Sequence, residues 1–394
     1  MMSQSVLQGC RRPRIVRRRR SAAVVLALAL VATAGATPYV PGNDAEVLAH
    51  LPAGATHASS QLRHQAAQRR DVALPLAQFY ISQARATGDL RFLGYAEGVL
   101  APWLKRSPPD PAALVLQATV LQSRHSFDAA LNELDRALRA RPDDAQAWVT
   151  RATVLRVLGR YDEAELSCER LIAGDAAVAQ LCTQSLRALS GHLHSAYEAV
   201  RQLPQQSLSV AARAWRYSQL GEMAQSLGDE RAASHWFVEC LQLAPDDLYT
   251  RAAYADLLLQ QGRAADTLEL LKGFESMEPM LLRIAIAQRQ LSDPQLPETR
   301  ALLASAFAVE EQRNEAVHRR EQARFLLDVE AQPSAALAAA RQNWQVQREP
   351  ADLLILLRAA HAAHQNGAAA RAAQFANLHA IEDVRLRPYL EPAP

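Results

Sequence analysis

The sequence has 394 residues, of which 43 are basic and 41 acidic, so the net charge is +2 at neutral pH. Seven of the arginines lie in the first 36 residues, which hold no acidic residue, and the rest of the chain has 36 basic to 41 acidic side chains. That balance lacks the basic surface of a nucleic-acid-binding protein, so we expect no nucleic-acid partner. Only 15 glycines and few β-branched runs predict a helical protein with almost no strand.

Residues 1–36 have the organisation of a secretory signal peptide. A basic segment is followed by an apolar run of about 13 residues and then by Ala34, Gly35 and Ala36. We therefore expect cleavage after Ala36, a mature chain that begins at Thr37, and a periplasmic or secreted location. The apolar run is shorter than the roughly 20 residues that cross a bilayer. A retained inner-membrane signal anchor is the alternative, and membrane contact is expected only in that case.

Residues 37–73 are predicted to form a loose N-terminal arm. Pro38, Pro41, Pro52 and Gly54 interrupt this segment, and proline and glycine disfavour continuous helix. A short helix is expected only at about residues 44–51.

Beyond the arm, residues of the same kind recur 34 positions apart. The matched pairs are Ala130 and Ala164, Phe127 and Tyr161, Gly228 and Gly262, and Pro245 and Pro279. Small residues are expected where two helices of a hairpin cross closely: Ala118, Ala152, Gly221 and Ala255 on the first helix, and Ala130, Ala164, Ala233 and Thr267 on the second.

The turns and helix ends of this pattern are also predicted by residue type. Gly159, Gly228 and Gly262 are expected to end the first helix of each hairpin, because glycine accepts the left-handed conformation at a helix C-terminus. Prolines are expected to stop the second helix, at Pro142, Pro245 and Pro279. The pairs Asp143–Asp144 and Asp246–Asp247 are expected to supply N-caps for the helices that follow.

This pattern resembles the tetratricopeptide repeat of bacterial proteins, whose period is 34 residues. The resemblance implies an all-α, right-handed α-solenoid of seven to eight stacked helical hairpins that share one continuous core. Residues 74–281 would form the array, with one shortened hairpin near 177–213. Residues 282–350 are helical but off the pattern, with a long helix from about Pro297 to Arg313, and residues 351–394 return to it as a C-terminal hairpin and tail.

Three cysteines remain after signal cleavage, and two interpretations of them stay open. Cys168 and Cys240 fall at positions that are usually packed inside, which favours buried free thiols. Cys168 and Cys182 lie on consecutive helices, so a disulfide between them is the alternative.

No catalytic or cofactor motif is present in the sequence, so neither an enzymatic site nor a cofactor is expected. Two histidine pairs have spacings that metal ligands can adopt: His192 with His194 at a turn, and His361 with His364, three residues apart on one helical face. Turn residues such as His192 and His194 are usually solvated, and no carboxylate or cysteine nearby in sequence completes a site with His361 and His364. Both pairs are therefore interpreted as surface histidines, and no metal site is predicted.

The family resemblance implies that first-helix residues line a concave groove that binds a protein or peptide partner. The predicted groove residues are Thr119, Gln122, Thr153, Arg156, Trp215, Glu222, Gln225, Tyr249, Asp256, His361 and His364. Trp215 is expected either as an exposed anchor or as a cap on the irregular join before it. Glu222 and Asp256 would select a basic or hydrogen-bond-donating partner.

These observations favour an exported scaffold that acts in cell-envelope assembly, with no enzymatic activity. One alternative is a helical subunit of an envelope enzyme, with an unrecognised site in residues 282–350; acids and histidines gathered around Glu310, Glu311, His318 and Glu321 would favour it. The other alternative is a self-assembling structural subunit, for which an exposed apolar face near residues 353–357 would be the sign. The sequence predicts neither the identity of the partner nor the oligomeric state.

Overall fold

The computed structural model describes residues 60–172, 174–312 and 318–390. Within these ranges the protein contains helices and no β-strand, which confirms the all-α prediction. The helices are α1 (Ser60–Gln68), α2 (Arg70–Thr87), α3 (Arg91–Leu104), α4 (Pro111–Ser123), α5 (Phe127–Ala140), α6 (Ala145–Val157), α7 (Tyr161–Glu169), α8 (Ala176–Arg187), α9 (Leu193–Gln202), α10 (Val210–Leu227), α11 (Glu230–Leu243), α12 (Leu248–Gln260), α13 (Ala264–Leu270), α14 (Glu278–Leu291), α15 (Leu296–Gln312), α16 (Arg319–Arg324), α17 (Pro333–Val346), α18 (Pro350–Ala362), α19 (Ala370–Leu378) and α20 (Arg387–Leu390).

Successive helices from α2 to α19 pair as hairpins, each packed on the next. The described residues form nine such pairs, whereas seven to eight hairpins were expected. The off-pattern segment contributes two of them, α14 with α15 and α16 with α17. A short π-helical turn, Phe325–Val329, extends α16. The signal-peptide segment and the helix expected at residues 44–51 lie outside the described residues.

The arm predicted to be loose becomes helical in its last part. Residues 60–73 contain α1 and the start of α2, and Ala66 and Ala73 are buried. The indole Nε1 of Trp103 donates a hydrogen bond to the Ala66 carbonyl oxygen, at 3.0 Å. The prolines and the glycine on which the loose arm was predicted all precede this part, so the prediction of a loose arm is wrong for residues 60–73.

The predicted close-packing positions are buried in every hairpin of the clear repeat. Ala130, Ala164, Ala233 and Thr267 have no exposed surface, and a Cβ on Gly221 would lie only 2.4 Å from the Phe237 ring. The three turn glycines have positive φ, with Gly228 at 84°. Asp144 and Asp247 accept capping hydrogen bonds from Ala147 and Thr250. The predicted packing positions, turn glycines and N-caps of the repeat are therefore confirmed, and one of the predicted helix-ending prolines is not.

Pro279 begins a helix rather than ending one. It lies in the first turn of α14, where the missing N–H group of proline costs no hydrogen bond. The preceding helix, α13, has already ended at Leu270, and Gly273 adopts a positive φ of 87° in the loop. Pro142 and Pro245 follow the ends of α5 and α11 as predicted.

The repeat register makes a testable prediction about packing. Ala164→Leu should lower the free energy of unfolding by about 1 to 3 kcal/mol, because the added atoms must overpack a joint that has no free space. Ala177→Leu, at a half-buried position near the start of α8, should cost less. Equal denaturant midpoints for the two variants would contradict this register.

Cys168 and Cys182 form a disulfide, with their Cα atoms 5.6 Å apart. This pairing corrects the favoured interpretation of separate buried thiols, because α7 and α8 bring the two side chains to bonding distance. Cys240 is free and buried, as expected.

The C-terminal segment packs back onto the turns of earlier hairpins and closes the array. Ideal Cβ atoms on Gly159, Gly191 and Gly228 would lie 2.8, 3.1 and 3.4 Å from Phe375, Ala380 and Val384, respectively. Successive turns of the repeat hairpins therefore contact successive residues of the C-terminal segment. Two backbone hydrogen bonds support this closure, from Arg348 N to Val157 O at 2.8 Å and from Val384 N to Ser226 O at 3.0 Å. As a result the concave side of the solenoid becomes a cavity.

Candidate functional site

The closed concave side contains a cavity of about 910 Å³. First helices of the repeat, the off-pattern helices and the C-terminal segment all contribute to its wall. Five predicted groove residues line it: Arg156, Glu222, Gln225, Tyr249 and Asp256. Arg289 and Gln290 also line it and are exposed to solvent, so the cavity is open to the surface.

The other predicted groove residues lie outside this cavity. The hydroxyls of Thr119 and Thr153 donate to carbonyl oxygens of their own helices, at 3.1 and 2.9 Å, and Gln122 is half-buried. Trp215 is half-buried against two core clusters, the position expected of a structural cap. The structure therefore gathers five of the predicted groove residues around one cavity and leaves the other six outside it.

The two C-terminal histidines are exposed and do not share a helical face. His361 is in α18, whereas His364 lies beyond the last residue of that helix and has a φ of 55°. The expectation of i and i+3 placement on one helix is therefore wrong, because α18 ends at Ala362.

The cavity wall contains seven arginines and seven carboxylates. They are Arg156, Arg283, Arg289, Arg320, Arg324, Arg358 and Arg385, with Glu222, Asp256, Glu321, Asp328, Glu349, Glu382 and Asp383. Most of these groups are paired with one another, so the cavity has no large excess of either sign. A ligand must therefore be recognised by particular unpaired groups and not by net charge.

Asp256 is the most fully neutralised carboxylate of the wall. It lies 2.6 Å from an Arg283 Nη atom and 2.8 Å from an Arg324 Nη atom. Burial alone would raise the pKa of Asp256, but the two guanidinium groups outweigh it and lower that pKa. Asp256 was predicted to select a basic partner, and the structure instead places two arginines of the same chain on it.

A second network joins the repeat to the C-terminal hairpin. Arg156 contacts Glu349 at 2.9 Å, and Arg320 lies 3.5 Å from Glu349 and 3.4 Å from Asp352. Asp352 is fully buried and accepts a hydrogen bond from Asn343 Nδ2 at 2.7 Å. Burial raises its pKa to about 6 despite Arg320. These contacts hold the closed form of the array, because Arg156 belongs to α6 and its partner immediately precedes α18.

Glu222 differs from these carboxylates because no arginine pairs with it. Within the described part of the chain no ion pair shorter than 4 Å includes Glu222. Its Oε2 accepts from the Gln219 amide, at 3.3 Å, and the Tyr249 hydroxyl also interacts with its carboxylate. Its Oε1 is buried and makes no hydrogen bond of normal geometry. Burial raises the pKa of Glu222, and the charges of Arg156 and Arg385 oppose that shift only in part. Glu222 is thus a buried acceptor with unused capacity.

Tyr249 lies beside Glu222 on the cavity wall. About 49% of its surface is accessible even though it lies deep among protein atoms, because it faces the cavity. Burial and the neighbouring carboxylates Glu222 and Glu349 raise its pKa well above the ordinary tyrosine value, so the phenol stays protonated. An accessible aromatic ring next to a carboxylate suits an organic cation, which both groups attract.

Sequence reasoning missed the cavity residues contributed by the off-pattern segment and the C-terminal tail. Arg320, Glu321, Arg324 and Asp328 follow one another at spacings of one, three and four residues. That spacing places charges along one side of a helix and was the available signal. Asp383 and Arg385 gave no such signal, since they lie outside any helix.

A second group of ionisable side chains lies apart from the cavity wall. Glu278, Glu310 and His318 place one donor atom each within 4.8 Å of the others. Of the residues named for the enzyme alternative, Glu310 and His318 therefore meet, whereas Glu311 is exposed and Glu321 lies 3.5 Å from Arg320.

Two further observations bear on the alternative functions. Residues 353, 355, 356 and 357 are buried in the C-terminal core, so the sign expected for a self-assembling subunit is absent there. None of the helices described is both long and apolar enough to span a bilayer.

Comparison with known proteins supports the repeat interpretation. Family models described as tetratricopeptide repeat match residues 115–179 and 216–247, and a search of curated proteins finds no match. A solved thermophilic TPR protein of Thermus thermophilus is 21% identical, over 48% of this chain and 100% of its own, with a TM-score of 0.39. The Pseudomonas aeruginosa protein pilF is 18% identical, over 64% and 98%, with a TM-score of 0.33.

A chain of the APC/C hetero-tetramer Cut9–Hcn1 is similar over 82% of this chain, with 13% identity and a TM-score of 0.51. The match spans 63% of that chain's length. At this identity the likeness concerns the fold alone. The family matches and the stacked helical hairpins together support tetratricopeptide repeats in residues 115–179 and 216–247.

Proposed function

We propose that this protein is an exported scaffold that holds a segment of a protein partner in its central cavity, in cell-envelope assembly. Stacked repeat hairpins and their fold neighbours suggest a protein-interaction scaffold. Export is proposed from the basic, apolar and small-residue order of residues 1–36, and the disulfide is consistent with an oxidising compartment.

The size of the cavity limits what can enter it. About 910 Å³ lies in the range of pockets that enclose a drug-sized ligand, roughly 300 to 1,000 Å³. This volume accommodates a few side chains or a short peptide segment, and it is too small for a folded domain. The partner is therefore proposed to present an extended loop or chain end.

The observation that best supports the proposal is the unpaired Glu222 next to the accessible ring of Tyr249. An arginine or lysine side chain of the partner would give Glu222 the direct ion pair that no arginine of the wall makes, and it would lie against the Tyr249 ring. Arginines of the same chain already occupy Asp256, so Glu222 provides the specificity for a basic residue.

The test begins by capturing partners from envelope extract with the mature protein and mapping the bound segment by cross-linking. Glu222→Gln should weaken binding of the corresponding synthetic peptide by about 1.5 to 3 kcal/mol, because a charge-assisted hydrogen bond is lost. Tyr249→Ala should weaken it by about 1 kcal/mol or more. Isothermal titration calorimetry measures both effects.

Glu169→Gln is the matched control, since Glu169 is exposed near the end of α7. It should leave the affinity unchanged. Replacing the basic residue of the peptide by glutamine should abolish the difference between the wild type and Glu222→Gln. Unaltered binding by both cavity variants would contradict the proposal and would direct attention to the outer surface.

A further inference from the structure

The side chains of Glu278, Glu310 and His318 converge from three separate elements of the off-pattern segment. Glu278 begins α14, Glu310 is in the last turn of α15, and His318 immediately precedes α16. His318 Nδ1 lies 2.5 Å from Glu310 Oε1 and 3.2 Å from Glu278 Oε1. Two carboxylate oxygens are thus directed at a single ring nitrogen.

A single proton on His318 Nδ1 cannot satisfy the hydrogen-bonding capacity of both carboxylates. Nδ1 carries at most one hydrogen, so it can form a linear hydrogen bond to only one of the two oxygens. Glu310 is the nearer acceptor, and Glu278 Oε1 is left buried without a hydrogen bond of normal geometry. Two carboxylates that face the same point also repel each other. A divalent cation placed between the three donor atoms would relieve both problems.

The distances suit a bound metal ion after small side-chain movements. Donor atoms about 2.0 to 2.2 Å from a tetrahedral ion lie roughly 3.3 to 3.6 Å apart, and the three donors here already lie within 4.8 Å of one another. Each side chain is partly buried, which reduces its competing hydration. The contributing elements are helical at the positions of Glu278 and Glu310, so the backbone fixes two of the three donors.

The donor types indicate which metal fits. One imidazole nitrogen with two carboxylate oxygens suits zinc and related transition metals, whereas magnesium and calcium prefer oxygen donors alone. We propose that Glu278, Glu310 and His318 form a zinc-binding site that is separate from the central cavity and joins α14, α15 and α16. Three protein ligands leave a coordination position for water or for a group of another molecule.

The site would be structurally useful because it lies in the least regular part of the array. The hairpins of this segment lack the small-residue pattern that packs the clear repeats, and a bound ion would cross-link their helices. Zinc binding should therefore stabilise the native state in proportion to the free zinc concentration.

The test uses the full mature chain, free of any affinity tag and stripped with chelator. Calorimetric titration with zinc chloride should show one strong site per chain, with a rise in the melting temperature. His318→Ala, Glu278→Gln and Glu310→Gln should each weaken zinc binding by about tenfold or more. Magnesium and calcium chloride should produce no comparable titration.

His361→Ala and Glu298→Gln are the matched controls, because both residues are exposed, and they should bind zinc like the wild type. Circular dichroism of each variant without metal shows whether it folds, so loss of binding can be separated from loss of structure. The proposal is overturned if the wild type shows no saturable zinc binding, or if the three site variants bind as tightly as the controls. In either case His318 would act only as a hydrogen-bond donor to Glu310.

Discussion

Replacing Asp256 by asparagine should lower the free energy of unfolding by about 3 to 5 kcal/mol, the usual cost of removing one partner from a buried ion pair. Arg283 is only 6% exposed, and without Asp256 its remaining acceptors are the carbonyl oxygens of Ala252 and Pro279. Arg324 keeps Asp328, at 3.7 Å. The variant therefore removes the ion pair of the buried Arg283 guanidinium.

Urea unfolding at neutral pH, followed by circular dichroism, measures this effect. The pKa of Asp256 is lowered, so its stabilising contribution is present at neutral pH and is lost only as the pH falls through the lowered pKa. Asp266→Asn is the control, because Asp266 and its partner Arg263 are both exposed. It should cost less than about 1 kcal/mol, and equal losses for the two variants would show that the cavity network does not stabilise the fold.

Breaking the disulfide between Cys168 and Cys182 should lower the free energy of unfolding by about 2 to 4 kcal/mol. The two cysteines are 14 residues apart, and closing a loop of this size in the unfolded chain removes about 3 kcal/mol of conformational entropy. The joint between α7 and α8 should be affected first, since the disulfide connects these helices.

Guanidinium unfolding with and without reductant provides the measurement. The Cys168→Ala/Cys182→Ala double variant should match the reduced wild type and should not respond to reductant. Cys240→Ala should respond as the wild type does, because Cys240 is buried and takes no part in the disulfide. A wild-type protein that is insensitive to reductant would show that the two cysteines remain as free thiols.

The amino-acid sequence by itself determined the local features of the repeat. Glycine at Gly159 and Gly228 and the caps Asp144 and Asp247 act within one turn or one helix end, so residue type was sufficient to predict them. Alanines such as Ala164 act between adjacent helices, and the 34-residue period fixes which helices those are. The all-α class followed from the same local rules.

Pairing and placement beyond the nearest hairpin depended on the tertiary structure. The sequence left two interpretations of Cys168 and Cys182 open, because burial and disulfide formation suit the same helical positions. It also predicted an open groove, in which Glu222 and Asp256 would be equivalent. The structure distinguishes them, since Arg283 and Arg324 pair with Asp256 and no arginine pairs with Glu222.

The repeat pattern could not predict that the array closes on itself. A repeat period describes contacts between neighbouring hairpins, whereas Arg156 meets Glu349 across a sequence separation of 193 residues. Such contacts depend on the rotation that accumulates from hairpin to hairpin, which a repeat period does not record. The sequence therefore supplied the hairpins, and only the three-dimensional path of the chain decided that they enclose a charged cavity.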